Sequence, residues 1–162
     1  MIIGENVNFD IRFIDSEEWE EAMEMVYRTF LEFDAGMFTD EGIGHFRDFI
    51  SDTSLKKSFM GGAFQVIGAY VGMKLVGVIA LRGNNHISLL FVDKDYHNNG
   101  IGRRLVAVLS DYAYLKLHEK ELTVNSAPYA KDFYHKLGFV DLAPETESDG
   151  IIYTPMKYII GV

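Results

Sequence analysis

No stretch of this chain limits its fold more than residues 86–105, HISLLFVDKDYHNNGIGRRL. The apolar run His86 to Val92 has the length and the Ile, Leu, Phe and Val content of a buried strand. Asp93 to Asn99 make a polar connection closed by Gly100 and Gly102, after which Ile101, Leu105, Val108 or Leu109, and Tyr112 recur with helical period. The predicted unit is strand, glycine turn, helix. Its helix opens with Arg103 and Arg104, although the macrodipole already places partial positive charge there and favours Asp or Glu. An anion on the free N–H groups, which the glycines leave uncovered, would remove that conflict, and phosphate suits such a site. The alternative is a plain loop-to-helix turn with solvated arginines, and a lone G-x-G does not decide between them.

The remaining elements are laid out around this unit. Residues 7–14, VNFDIRFI, alternate as a first strand, and Asp15 three before Glu18 marks a helix start of capping-box type. Trp19, Ala22 or Met23, Val26, Phe30 and Phe33 give the apolar face of a helix to about Asp34. Gly36 ends it, Thr39 caps a second helix, and Ile43, Phe46, Phe49 and Ile50 form its stripe. From Phe64 to Leu81 the chain is almost wholly apolar, but Gly72-Met73-Lys74 divides it into two halves of an antiparallel hairpin. Gly83-Asn84-Asn85 turns the chain into the strand at His86, completing a meander. A strand at 121–125, a short helix after Pro128 and a strand opened by Gly138 and Phe139 follow. Residues 141–150 read as a surface loop and 151–160 as the last strand, with an irregularity expected at Pro155 because proline cannot donate to a ladder. The order is β-α-α-β-β-β-α-β-α-β-β, an α/β chain in one domain, 1–162.

Charge and cysteine content narrow the function classes. A formal net charge of −9 argues against nucleic-acid or anionic-membrane partners, which need a basic surface, and favours cationic ones. With no cysteine there is no disulfide, no thiolate metal site and no acyl-cysteine intermediate. The start, MIIGENVNFD, lacks the basic and apolar segments of an export signal, so a cytoplasmic location is expected.

Two motifs carry a family resemblance. His97-Asn98-Asn99-Gly100-Ile101-Gly102 after a hydrophobic strand resembles the R/Q-x-x-G-x-G/A pyrophosphate loop of the GCN5-related N-acetyltransferases, with His97 in place of the usual Arg or Gln. Downstream, Leu122-Thr123-Val124-Asn125 followed by Ala130-Lys131-Asp132-Phe133-Tyr134-His135-Lys136-Leu137-Gly138-Phe139 is similar to that family's fifth strand and A-x-x-F-Y-x-K-x-G-F segment. The resemblance implies a mixed, mostly antiparallel sheet of about seven strands and about four helices, splayed between strands 4 and 5 to admit coenzyme A. It implies acetyl-CoA as co-substrate and a primary amine as acceptor. His45, His118 and His135 have no partner at metal-ligand spacing, so no metal is expected, and either a monomer or a homodimer is compatible with the sequence. A protein or peptide acceptor, or a non-catalytic acyl-CoA-binding sensor, stays open.

By the same resemblance, Tyr134 would protonate the departing thiolate, the N–H groups around Phe91 and Val92 would bond the thioester and pantetheine, and Asn98, Asn99, Gly100, Ile101, Gly102, Arg103 and Arg104, with His97, would hold the pyrophosphate. Asn125 matches a residue that bonds the cofactor or the tyrosine's surroundings; a turn-forming Asn is the alternative. For Tyr134 the alternative is a packing residue with its hydroxyl bonded elsewhere, and the surrounding F-Y-x-K-x-G-F pattern favours the catalytic role. His86 stands eleven residues before His97, the spacing of a catalytic glutamate in the histone-acetylating branch. Imidazole suits proton transfer near neutral pH; the alternatives are a histidine that simply ends a strand and, as the resemblance also allows, a proton moved through water. Acids in the first helices and the last loop, Glu32, Asp34, Asp40, Glu41, Glu145, Glu147 and Asp149, are expected on the rims of the acceptor groove.

Overall fold

The computed structural model describes residues 7–161. The reading of the chain's start as free of an export signal rests mostly on positions outside this range. Eight strands are found among the described residues: β1 Asp10–Phe13, β2 Phe64–Val71, β3 Lys74–Arg82, β4 His86–Val92, β5 Glu121–Ser126, β6 Val140–Asp141, β7 Thr146–Ser148 and β8 Ile151–Ile159. The helices are α1 Trp19–Phe33, α2 Asp40–Ser51, α3 Thr53–Met60, α4 Ile101–Leu117 and α5 Lys131–Leu137. The sheet runs in the order β1-β2-β3-β4-β5-β8-β6, with β7 also paired to β8. All pairings are antiparallel except β4 with β5.

Helices cover both faces, which is why the central strands read as a nearly unbroken apolar run. Side chains alternate across the pleat. Val66, Tyr70, Val78, Ala80, Leu89 and Phe91 face a core built with α1 to α3. Ile67, Ala69, Ile79, Leu81 and Ile87 face Ile101, Leu105 and Leu109 of α4 and Tyr134 at α5. No described helix is long and apolar enough to cross a membrane.

Local signals set most of the element ends. The Asp15 N–H donates to Glu18 Oε1 at 2.8 Å, one half of the expected capping box. Thr39 Oγ1 accepts the Gly42 N–H at 3.1 Å and starts α2. Two details differ from the sequence reading, and the irregularity expected at Pro155 lies on one edge of β8 only. Helix α3 has no periodic signal in the sequence; its single buried residue, Leu55, gives no stripe, and only Asp52, which caps Ser54 N–H at 2.8 Å, announces it. The 141–150 loop contains β7. Pro155 sits opposite Asn125 with no slip in the β5–β8 register. Its carbonyl accepts the Leu142 N–H at 2.8 Å, so its missing donor faces the other edge of β8, where the ladder breaks between β7 and β6.

The feature that makes a site is the parting of β4 from β5. They pair only at His86 with Thr123 and Ile87 with Val124. The next residue, Ser88, is a bulge: Ile87 faces Leu81 and Leu89 faces Ala80, leaving Ser88 without a partner on β3. Beyond it the two strands diverge, and a gap opens through the middle of the sheet.

Candidate active site

Two cavities meet at this gap. One, of about 370 Å³, is lined by the end of β4, the loop before α4 and the first turn of α4. The other, of about 490 Å³, lies between α1, α2, β4, β5 and the β7–β8 turn. Leu90, Phe91, Tyr129, Ala130 and Tyr134 belong to both walls. A molecule in the first cavity would therefore meet a molecule in the second beside Tyr134.

The gap-facing backbone follows from ladder parity. The Asp93 N–H donates to Val76 O on β3 at 2.8 Å, so along an antiparallel strand the amides of Val92 and Leu90 point the other way, into the gap. By this parity the Phe91 N–H, one of the group around Phe91 and Val92 expected to meet thioester and pantetheine, points to β3, so the gap-facing amides of that group are those of Leu90 and Val92, and Phe91 contributes its ring to both cavity walls. The same parity on β5 turns the Asn125 backbone toward the gap, since Thr123 N–H donates to Asn85 O at 2.8 Å.

The glycine loop is shaped as an anion cradle. Gly100 takes a left-handed conformation, φ 77°, as the cap of α4, which a side chain would strain. The Arg103 guanidinium folds back to within 3.6 Å of where a Gly100 Cβ would lie. Arg104 N–H already bonds Gly100 O at 3.1 Å, leaving the amides before it for a ligand. His97, Asn98, Gly100, Ile101, Gly102 and Arg103 line this cavity, together with Val92. Arg104 and Asn99 do not line it. Asn99 Nδ2 instead donates to the carbonyls of Tyr96 at 3.1 Å and His97 at 3.0 Å, bracing the loop. His97 Nε2 lies 2.7 Å from Val92 O; a carbonyl only accepts, so Nε2 carries the proton and ties the loop to the strand end.

Tyr134 is 4% exposed, edge-on to Phe133 and Phe139. Burial, then the nearby Asp34 charge, push its phenol above the ordinary tyrosine range, so it stays protonated and able to donate. Asn125 lines the larger cavity rather than the one at the glycine loop. His86 also lines the larger cavity, with Nδ1 2.8 Å from Thr123 Oγ1; burial, then Arg82, lower its pKa.

Of the seven rim acids expected, Asp34 and Asp149 line the larger cavity. Glu32 instead pairs with Lys94 at 3.1 Å. Asp34 is no rim residue: it is 8% exposed, and Tyr129 Oη donates to its Oδ1 at 2.7 Å. Burial raises its carboxyl from 3.8 to about 6, against the hydrogen bond from Tyr129, which lowers it. Sequence reasoning missed Tyr129 altogether; its only signal was its place between Pro128 and the Phe133-Tyr134 motif. Glu41, His45 and Asp149 come together on the exposed rim within reach of one another.

Residues 34–160 match the family model described as an acetyltransferase (GNAT) domain. Solved structures share the fold. A GCN5-related N-acetyltransferase from Rhodopseudomonas palustris aligns over 99% of both chains at 20% identity with a TM-score of 0.80. The PaiA N-acetyltransferase of Thermoplasma acidophilum, in complex with coenzyme A, covers 94% of this chain and 99% of its own at 19% identity and TM-score 0.75. The spermidine N-acetyltransferase of Vibrio cholerae, with CoA and spermine, covers 96% and 97% at 14% identity and TM-score 0.68. No curated protein matches the sequence.

Proposed function

Because the chain belongs to the GNAT acetyltransferase family, we propose that it moves an acetyl group from acetyl-CoA to a small cationic primary amine, by direct transfer in a ternary complex. The observation that carries this reading is Tyr134, buried in the wall common to both cavities and held in its protonated form. Acetyl-CoA would enter along the smaller cavity, with its pyrophosphate on the amides of Gly100 to Arg103 and its pantetheine arm along the gap-facing amides of Leu90 and Val92. The acceptor would occupy the larger cavity. As the amine attacks the thioester carbonyl and the C–S bond breaks, Tyr134 would donate its proton to the leaving sulfur.

An alkylammonium, with a pKa of roughly 10, must lose a proton before it attacks. Burial brings two groups of the acceptor cavity toward that task from opposite sides, His86 by lowering its pKa and Asp34 by raising it. The carboxyl groups of Asp34 and Asp149 in the cavity wall and the spermine-bound relative both support a cationic acceptor. The protein would act as a single domain in the cytoplasm, as monomer or homodimer.

Thiol release from acetyl-CoA tests this against spermine, phenethylamine, glutamate and a lysyl peptide. Spermine or phenethylamine is expected to give the highest kcat/KM, falling with added salt. A peptide as best acceptor would favour the protein-acetylating reading, and no release with any of them, despite CoA binding, a sensor.

A further inference from the structure

Asp34 is placed against two electrostatic rules at once. It stands directly after the last residue of α1, where its N–H donates to Phe30 O at 2.8 Å and its carbonyl accepts the Met37 N–H at 3.0 Å. The macrodipole puts partial negative charge at that end and disfavours a carboxylate. It is also buried without a cation: the groups that act on it are its own burial and the Tyr129 hydroxyl. A buried carboxylate without a cation is costly until a positive partner arrives. The place from which one can arrive is the larger cavity, whose wall Asp34 forms.

We propose that Asp34 receives the acceptor's ammonium group and takes its proton, with Tyr129 as the positioning residue that holds the carboxylate. This rests on the acetyltransferase reading above and names the base within it. Tyr129 fills Oδ1, which leaves Oδ2 for the incoming N–H. Tyr129 lines both cavities, so its partner Asp34 is one side chain away from the junction at which Tyr134 sits. His86 is placed less well. It stands four residues before Leu90 on β4, and because the Ser88 bulge takes up one of those steps the two are three rungs apart, about 10 Å at a rise of about 3.3 Å per residue, at the closed root of the gap and not at its junction.

The protons balance as follows. The ammonium N–H bond breaks and its proton goes to Asp34, which passes it to solvent. The freed lone pair forms the C–N bond to the thioester carbon, and the tetrahedral nitrogen then carries one proton too many. The C–S electron pair leaves on sulfur, Tyr134 gives that sulfur its proton, and the phenolate is restored by the proton shed from nitrogen. The products are amide, thiol and one solvent proton.

Other titrating groups face the same cavity and must be separated from Asp34. Tyr129 and Tyr134 approach it from the segment after β5. His45 comes from α2, Arg82 from the end of β3, His86 from β4, and Asp149 and Tyr153 from the β7–β8 hairpin.

The test is kcat/KM for the best primary amine of the panel, by thiol release, from about pH 5 to about pH 10. Asp34→Asn is expected to lose about 10²-fold in kcat/KM, to keep its affinity for CoA, and to lose the acidic limb of the profile. Tyr129→Phe is expected to move that limb to higher pH, because the lost hydrogen bond favoured the carboxylate. His86→Gln is expected to keep the limb whatever its rate. An active wild type whose limb survives in Asp34→Asn, stays in place in Tyr129→Phe, or vanishes in His86→Gln overturns the assignment alone. A wild type that acetylates no amine overturns the acetyltransferase reading, and this one with it. Should Asp34→Asn fail to fold, the Tyr129→Phe shift still decides.

Discussion

Gly42, in the first turn of α2, touches Gly150 in the β7–β8 turn so closely that a Cβ on Gly42 would lie 2.4 Å from the Gly150 carbonyl oxygen. That same oxygen accepts the Thr39 N–H at 3.2 Å. The contact joins two elements that both wall the larger cavity, proposed above to hold the acceptor. Gly42→Ala must push the hairpin away, at a cost of about 1–3 kcal/mol. The expected result is a higher KM for the amine with CoA affinity unchanged, measured by steady-state kinetics and calorimetry.

The glycine loop offers a charge test. A Cβ at Gly102 would sit 3.3 Å from the Phe133 ring, a contact that a small ring shift relieves. Gly102→Ala should therefore bind CoA almost normally. Gly102→Asp sets a carboxylate at the helix start where the pyrophosphate would lie, and its affinity should fall by roughly two orders of magnitude. Calorimetric titration of the two folded variants checks the difference; equal affinities would move the phosphate site elsewhere.

Tyr134→Phe removes a hydroxyl whose proposed role lies in the transition state. Turnover should fall by about 10²-fold or more while CoA affinity holds. Unchanged turnover would leave Tyr134 a packing residue between Phe133 and Phe139.

Asp34 also has a signature in stability. Its folded carboxyl binds a proton more tightly than the unfolded chain's, so its contribution is intact below pH 3.8 and lost as pH rises through about 6. At about 1.4 kcal/mol per tenfold, wild type forfeits up to about 3 kcal/mol above that range. Asp34→Asn, which keeps the shape without the charge, should be the more stable protein at pH 8 and no more stable at pH 4, measured by urea unfolding. A variant that gains stability as it loses activity marks a group retained for chemistry.

Local periodicity made most of the fold legible. The unit at 86–105 could be read because strand content, glycine turn and helical stripe lie within one continuous segment. What could not be read depends on distant partners. Asp34 looked like a rim acid because its burial is completed by Tyr129, 95 residues later. Which amides around Phe91 and Val92 face the gap follows the register with β3, which no local pattern states. Asn99 matched a motif position whose side chain here braces its own loop.

The parting of β4 and β5 also bears on how the molecule opens. Two paired positions join one half of the sheet, β1 to β4, to the other, β5 with β8, β6 and β7. The amides of Leu90, Val92 and Asn125, which a continuous sheet would lock, have no strand opposite them. In the free protein they should exchange hydrogen with solvent far faster than those of neighbouring Leu89 and Val124, and the two halves should behave as separate cooperative units. A ligand lying across both walls takes the place of the missing rungs, so its arrival should register as slowed exchange along the whole seam, at positions it never touches.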